Sequence, residues 1–351
     1  MKKLTQHSVA LLALSVAAAS GIASADVTVY GRAHVSVDML DDGADYGELN
    51  LSSNSSRLGF KAQKETESGI TGLMQIEGEI TYNQGGSTLS SRDTFVGIKG
   101  DFGMLRGGQF DTPFKRARGP ANLFGDQAGD MRNLTRVGDG RFDERTPNTL
   151  HYQTPSMSGV QLNLAYSLHE GNDAPDTSVD GVESESAVSV SVTYKNGPLD
   201  LALAHESHDE GTSRGERSAL RFAIGYGLTD DLTLVGFYQS VDHDEEDANG
   251  DGPHDADVMG LGAEYKLTGA TRIKGMYLTR SADIEDSDSS LMALGVEHRL
   301  DRSLRVYANY AMVDNDDGAN LTPWNQARTT GTAGAAGETA TALSLGLRYD
   351  F

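Results

Sequence analysis

From Leu343 to the end of the chain every second residue is apolar: Leu343, Leu345, Leu347, Tyr349 and Phe351 alternate with Ser344, Gly346, Arg348 and Asp350. Successive side chains of a β-strand point to opposite faces, so this period predicts a strand with one apolar and one polar face. The pattern recurs. Val27, Val29, Ala33, Val35 and Val37 alternate with polar partners, as do Val160, Leu162, Leu164, Tyr166 and Leu168, then Val188, Val190, Val192 and Tyr194, then Leu220, Phe222, Ile224 and Tyr226. Roughly sixteen such runs can be counted, the first near 26–40, the second near 55–67, a fourth near 90–100 and the last near 339–351.

The connections divide into two kinds. Those at Glu67–Gly69, Asn196–Gly197, Gly227–Asp231, Leu267–Ala270 and Leu300–Ser303 are tight turns, whereas 169–184, 244–256 and 315–338 are long and polar. One end of the molecule therefore carries turns and the other carries loops. On strands running toward the turns, the last apolar-face aromatic is Tyr152, Tyr194, Tyr226, Tyr265 or Tyr349. Five tyrosines at one level fit an aromatic girdle at a membrane interface better than the core of a soluble sandwich.

In lipid every backbone N–H and C=O must find a partner within the protein, so a spanning sheet has to close on itself. The terminal strand then pairs with the first, its apolar face meets lipid, and its Arg348/Asp350 face meets a wet lumen. About sixteen strands enclose more space than side chains can fill, which predicts an aqueous channel.

The first 25 residues stand apart. Lys2 and Lys3, an apolar run from Val9 to Ala19, and Ala23-Ser24-Ala25 fit a secretory signal peptide that leaves a mature chain over 26–351. A net charge of -22, from 29 Lys+Arg against 51 Asp+Glu, argues against nucleic acid as a partner. With no cysteine there are no disulfides and no thiolate sites.

One connection breaks the alternation. Residues 111–145 form a segment of about 35 residues whose Phe114, Leu123, Phe124, Met131, Leu134 and Phe142 predict that it packs inside something, and a wide barrel has the room. Asp126 and Asp130 would share a face if the segment held a helical turn. Strand parity sends Arg32, Arg57, Arg92, Arg106 and Arg145 inward, with Arg57 opposite in phase to Leu58 and Phe60, and Arg92 opposite Phe95. Arginines facing an acidic loop across a narrow opening set up a transverse field that biases ion passage.

DVTVYGRAHVSVD, SSRLGFKAQKETESGITGLMQIE, SRDTFVGIKGDFGMLRGGQFDTPFK, LFGDQAGD, RTPNTLHYQTPSMSGVQ and LSLGLRYDF, in this order, resemble the Gram-negative general diffusion porins of β- and γ-proteobacteria. The resemblance spans the mature chain. It implies an all-β fold, a sixteen-stranded antiparallel transmembrane barrel in the outer membrane with the third external loop, 111–145, folded inward. It also implies a homotrimer in contact with lipopolysaccharide, passive diffusion of ions and small hydrophilic solutes, no cofactor, and reading of Phe351 by the barrel assembly machinery. By the same resemblance Arg57, Arg92 and Arg145 belong to a basic constriction wall facing Asp126 and Asp130, with Arg32 and Arg106 matching less clearly.

Other chemistry has little support. No G-x-S-x-G or H-E-x-x-H motif occurs, so an enzyme is not expected. Asp247, Asn249, Asp251 and Gly252 open like a calcium loop, yet Val258 stands where the bidentate Glu belongs, which leaves a weak metal candidate. Tyr30, Tyr307 and Phe110 are too few inward aromatics for a solute-specific channel, the principal alternative; an adhesive barrel is the remaining one.

Overall fold

The computed structural model describes residues 26–168, 186–210, 212, 214–246, 252–327 and 330–351; the leader expected over 1–25 lies outside them. Antiparallel strands follow one another in chain order around a single closed sheet. The first, Asp26–Asp41, pairs with the last, Ala340–Asp350, from Arg32 opposite Asp350 to Asp41 opposite Thr341. Beyond that ladder the Gly31 N–H donates to the Phe351 carbonyl at 2.8 Å and the Phe351 N–H returns to Gly31 at 3.1 Å. The sheet thus has no free edge, as a lipid-facing sheet requires.

Eighteen hydrogen-bonded segments make up sixteen wall strands. Gly47–Ser53 and Arg57–Glu65 both pair with the first strand, and Ser87–Thr88 and Thr94–Gly100 both pair with Thr71–Ile80, so each of these pairs is one interrupted strand. The expected start of the second strand near 55 misses its outer half. There the chain turns within residues 42–46 and then breaks at Asn54–Ser56, where Ser55 adopts a left-handed φ of 61°. A second break, with Ser90 at φ 62°, resets the parity before Thr94. Arg92 therefore faces inward together with Phe95, while Val96 and Ile98 face out, which corrects the expectation that Arg92 and Phe95 oppose each other.

The outer surface follows the period of two. Leu343, Leu345, Leu347, Tyr349 and Phe351 are all exposed, while Ala340, Ala342 and Ser344 on the same strand are buried on the inner side. Tyr152, Tyr226, Tyr265 and Tyr349 lie exposed on the outer face close to the turns, and Tyr194 is half-exposed. Among the described residues no helix is long and apolar enough to cross a membrane.

Inside the barrel, the segment after Asp111 leaves the wall. Thr112 caps a short helix, Pro113–Ala117, by accepting from the Lys115 N–H at 3.2 Å, with Pro113 supplying a φ suited to the first turn. Phe114 and Phe142 pack on Ala202, Ala204 and Ala219 of the wall, and Phe124, Met131 and Leu134 pack on Ala223, Ala293 and Ala311. Small wall residues make room for large loop residues. Each fully buried phenylalanine contributes about 2–3 kcal/mol of transfer free energy, an upper bound, so burial holds the segment inward.

A second inward segment was not foreseen. Trp324, fully buried, packs with Leu40, Ala128, Ala340 and Ala342, and Pro323 accepts hydrogen bonds from the Gly129 N–H at 2.7 Å and Asn133 at 2.9 Å. The only tryptophan of the chain, in a stretch read as an ordinary external loop, was the available signal.

Candidate functional site

Between the inward loop and the wall lies a cavity of ≈ 510 Å³. Arg32, Arg57, Arg92 and Arg145 enter it from the strands, and Lys115, Arg118, Arg132 and Arg136 enter it from the loop. Asp111, Asp126, Asp143 and Glu144 face them, so eight cationic side chains stand against four carboxylates. In a chain of net charge -22 this is a local reversal of sign.

The charges are held in fixed pairs. Arg92 Nε donates to Glu77, buried behind the lining, at 2.6 Å and its Nη1 to Ser55, itself a lining residue, at 3.0 Å. Arg145 bridges Asp93 and Asp111, each at 2.9 Å. Arg32 and Arg57, directly opposite each other on neighbouring strands, both point at the Asp126 carboxylate, at 3.6 and 3.7 Å. Two like charges facing across a ladder repel. The loop carboxylate between them offsets that cost.

Asp126 and Asp130 are not presented side by side on a helical turn. Asp126 sits in a tight turn with φ 62°, and its N–H donates to Asp130 at 2.7 Å. Asp130 is fully buried and clamped by Arg132 at 2.6 Å. Asp126 therefore faces the cavity while Asp130 organises the turn behind it. Burial alone would raise the Asp126 carboxyl, but Arg132, with Arg57 and Arg32, holds it well below the usual carboxylate range. Asp143 is likewise held low against its burial by Arg221 and Arg118; it accepts from Arg221 at 2.6 Å and so ties the loop to the far wall. Burial pushes the Lys115 ammonium down to about 8, against the pull of Asp111 at 2.9 Å.

Arg106 does not join this group. Its guanidinium lies 3.9 Å from the Phe110 ring and 4.6 Å from Phe95 and donates to His151 Nδ1 at 3.1 Å, buried in the wall. Strand parity gave its direction correctly and could not show that two rings cover it. Strand parity does not reach the loop cations, because residues 111–145 have no alternation. The composition held the signal, since residues 111–145 carry seven Lys+Arg against six Asp+Glu. Asp247, Asn249 and Asp251 fall outside the described residues.

Comparison with known proteins agrees with this architecture. The family model for Gram-negative porins matches residues 10–318. The outer membrane porin protein 32 of Delftia acidovorans is 28% identical over 361 residues, spanning 97% of this chain and 99% of that protein. Among solved structures, the anion-selective porin from Comamonas acidovorans superposes with a TM-score of 0.72 at 22% identity, covering 93% of this chain and all of that one. The trimer form of OmpT from Vibrio cholerae gives 0.65 at 17% identity, again over 93% of this chain.

Proposed function

Because the chain belongs to the Gram-negative porin family, outer-membrane channels for passive diffusion, we propose that the charged cavity is its constriction and that it favours small anions. The observation that carries this reading is that eight cations and four carboxylates line one ≈ 510 Å³ opening, and cations remain in excess when Glu77, Asp93 and Asp130, which pair with Arg92, Arg145 and Arg132 from behind the lining, are counted. Low-dielectric walls focus the field of such a cluster along an aqueous path, so the local sign at the narrow point outweighs the acidic exterior in setting ion preference. Arg32, Arg57, Arg92 and Arg145 form the basic wall; Asp126 faces them from the loop. Asp130 and Arg106 serve the framework rather than the pore.

Solutes cross without a covalent step, a cofactor or energy input. The exposed belt of Leu and Val with its tyrosine rim fits the outer-membrane bilayer, and trimerisation follows the OmpT relative whose trimer form shares this fold. Recognition of Phe351 by the assembly machinery is part of the same reading. The test is the reversal potential of the purified protein in a planar bilayer under a KCl gradient. A potential of the sign set by chloride supports an anion-favouring constriction; one set by potassium overturns it, and the lack of any stepwise conductance overturns the channel itself.

A further inference from the structure

The outer mouth carries a cluster that ion passage does not use. His243 ends the strand Leu232–His243, and Glu245 and His254 lie on the loop that follows it. Their nearest ligand atoms all lie within 4.8 Å of one another. The two imidazoles meet edge to face, with ring centroids 4.8 Å apart, and His254 Nε2 stands 3.3 Å from a Glu245 carboxylate oxygen. Of these spacings, the 3.3 Å between His254 and Glu245 is about the separation of two donors on a tetrahedral zinc ion with bonds of about 2.0–2.1 Å.

The hydrogen bonds that hold the His243 ring point the same way. The His243 Nε2–H donates to the Arg214 carbonyl at 2.7 Å, which in the neutral ring leaves Nδ1 unprotonated. This is the arrangement in which a ligating histidine is normally held, one ring nitrogen on a backbone carbonyl and the other offered to the ion. Nδ1 now accepts the Glu245 N–H at 3.0 Å, a surface hydrogen bond that an ion would replace. The backbone of His243 is fixed as well, its N–H donating to Asp255 at 2.7 Å. Asp242, Asp244 and Glu246 add negative charge nearby in the sequence.

We propose that His243, Glu245 and His254 form a site for a borderline divalent cation, zinc or a chemically similar ion, at the external mouth of the barrel. Two imidazole nitrogens and one carboxylate select zinc, nickel or copper over calcium and magnesium, which take all-oxygen sites. Water fills the fourth position, since Glu245 is largely exposed. The site also touches the constriction loop. A Cβ on Gly138 would lie 3.2 Å from His254 Nδ1, and one on Gly140 would lie 2.5 Å from the His254 carbonyl, so His254 rests flush on that loop. A bound ion would tie His254, which rests on Gly138 and Gly140 of the inward loop, to His243 at the strand end. The binding itself does not depend on the channel reading.

The decisive experiment titrates Zn²⁺ into the EDTA-treated full-length protein in detergent, by calorimetry and by competition with a chromophoric zinc indicator. One ion per chain is expected, with affinity lowered by more than about tenfold in H243Q and in H254Q and left intact by a large excess of Ca²⁺. Heat-dependent gel mobility confirms that both variants keep the barrel. Equal zinc binding by wild type and both variants overturns the site, as does displacement by Ca²⁺. Zinc bound by a protein that passes no current would overturn the channel reading alone.

Discussion

The guanidinium of Arg57, on the barrel wall, lies 3.7 Å from the carboxylate of Asp126, at the turn of the inward loop. Wall and loop thus place opposite charges face to face across the cavity, and the two can be altered separately. Removing one charge about 4 Å from a passing ion changes its free energy by at most about 1 kcal/mol in a water-like medium. D126N should therefore raise the chloride-over-potassium permeability ratio, and R57S lower it, by about two- to fivefold each. Reversal potentials at low salt measure both. Equal shifts in the same direction would mean that the pair acts on loop position and not on charge.

If the cavity is the constriction, Lys115 should make it sensitive to pH. Its ammonium is pushed down to about 8 by burial, so the cavity loses a positive charge as pH rises from 7 to 9. Anion preference should fall across that window and recover on return. K115M should begin at the lower preference and show no change between pH 7 and 9. Because the folded value lies below that of an exposed lysine, the unfolded chain binds more protons between the two values, and stability rises with pH there. Selectivity and stability therefore move in opposite directions, which reversal potentials and thermal melts read separately.

Gly129 lets the inward loop approach the wall. Its φ of +85° is left-handed, and a Cβ there would lie 2.6 Å from the Cβ of Ala293. G129V should displace the loop at a cost of about 1–3 kcal/mol without opening the sheet. The expected readout is a folded barrel by gel mobility with higher and noisier single-channel conductance. An unchanged conductance would show that the loop does not set the pore size.

Trp324 supports the same loop from the opposite side. Its indole donates to the Thr332 carbonyl at 3.2 Å while its rings fill the space between Leu40 and Ala128. W324A should cost about 3–5 kcal/mol and release the Pro323 contacts to Gly129 and Asn133. Conductance should rise as in G129V. If only the melting temperature fell, the segment would be a structural plug with no bearing on the cavity.

Phe351 closes the seam through its backbone, exchanging two hydrogen bonds with Gly31. Deleting it removes both, at about 1 kcal/mol each, a small loss for a closed barrel. The purified variant should still refold in detergent, while its level in the outer membrane should drop sharply. A variant that assembled normally in cells would remove Phe351 from any role in recognition.

Much of the molecule was decided by local pattern. The period of two in Val27–Val37 or Leu343–Phe351 needs only the pleat to choose a lipid face, and tyrosines before several turns and the chain end mark one rim. Closure followed from the need to pair every backbone group in lipid, and the apolar content of residues 111–145 required an interior position. What the tertiary structure alone decided is which charges meet. Arg32, Arg57 and Asp126 come from two neighbouring strands and a distant loop, and their meeting depends on the strand break at Ser55 that sets the phase of Arg57. Arg106 had the right phase, yet the rings of Phe95 and Phe110 cover it. Asp130 had the right spacing, yet a left-handed Asp126 turned it inward. Periodicity fixes the direction of a side chain, whereas contact across a lumen depends on how the whole barrel closes.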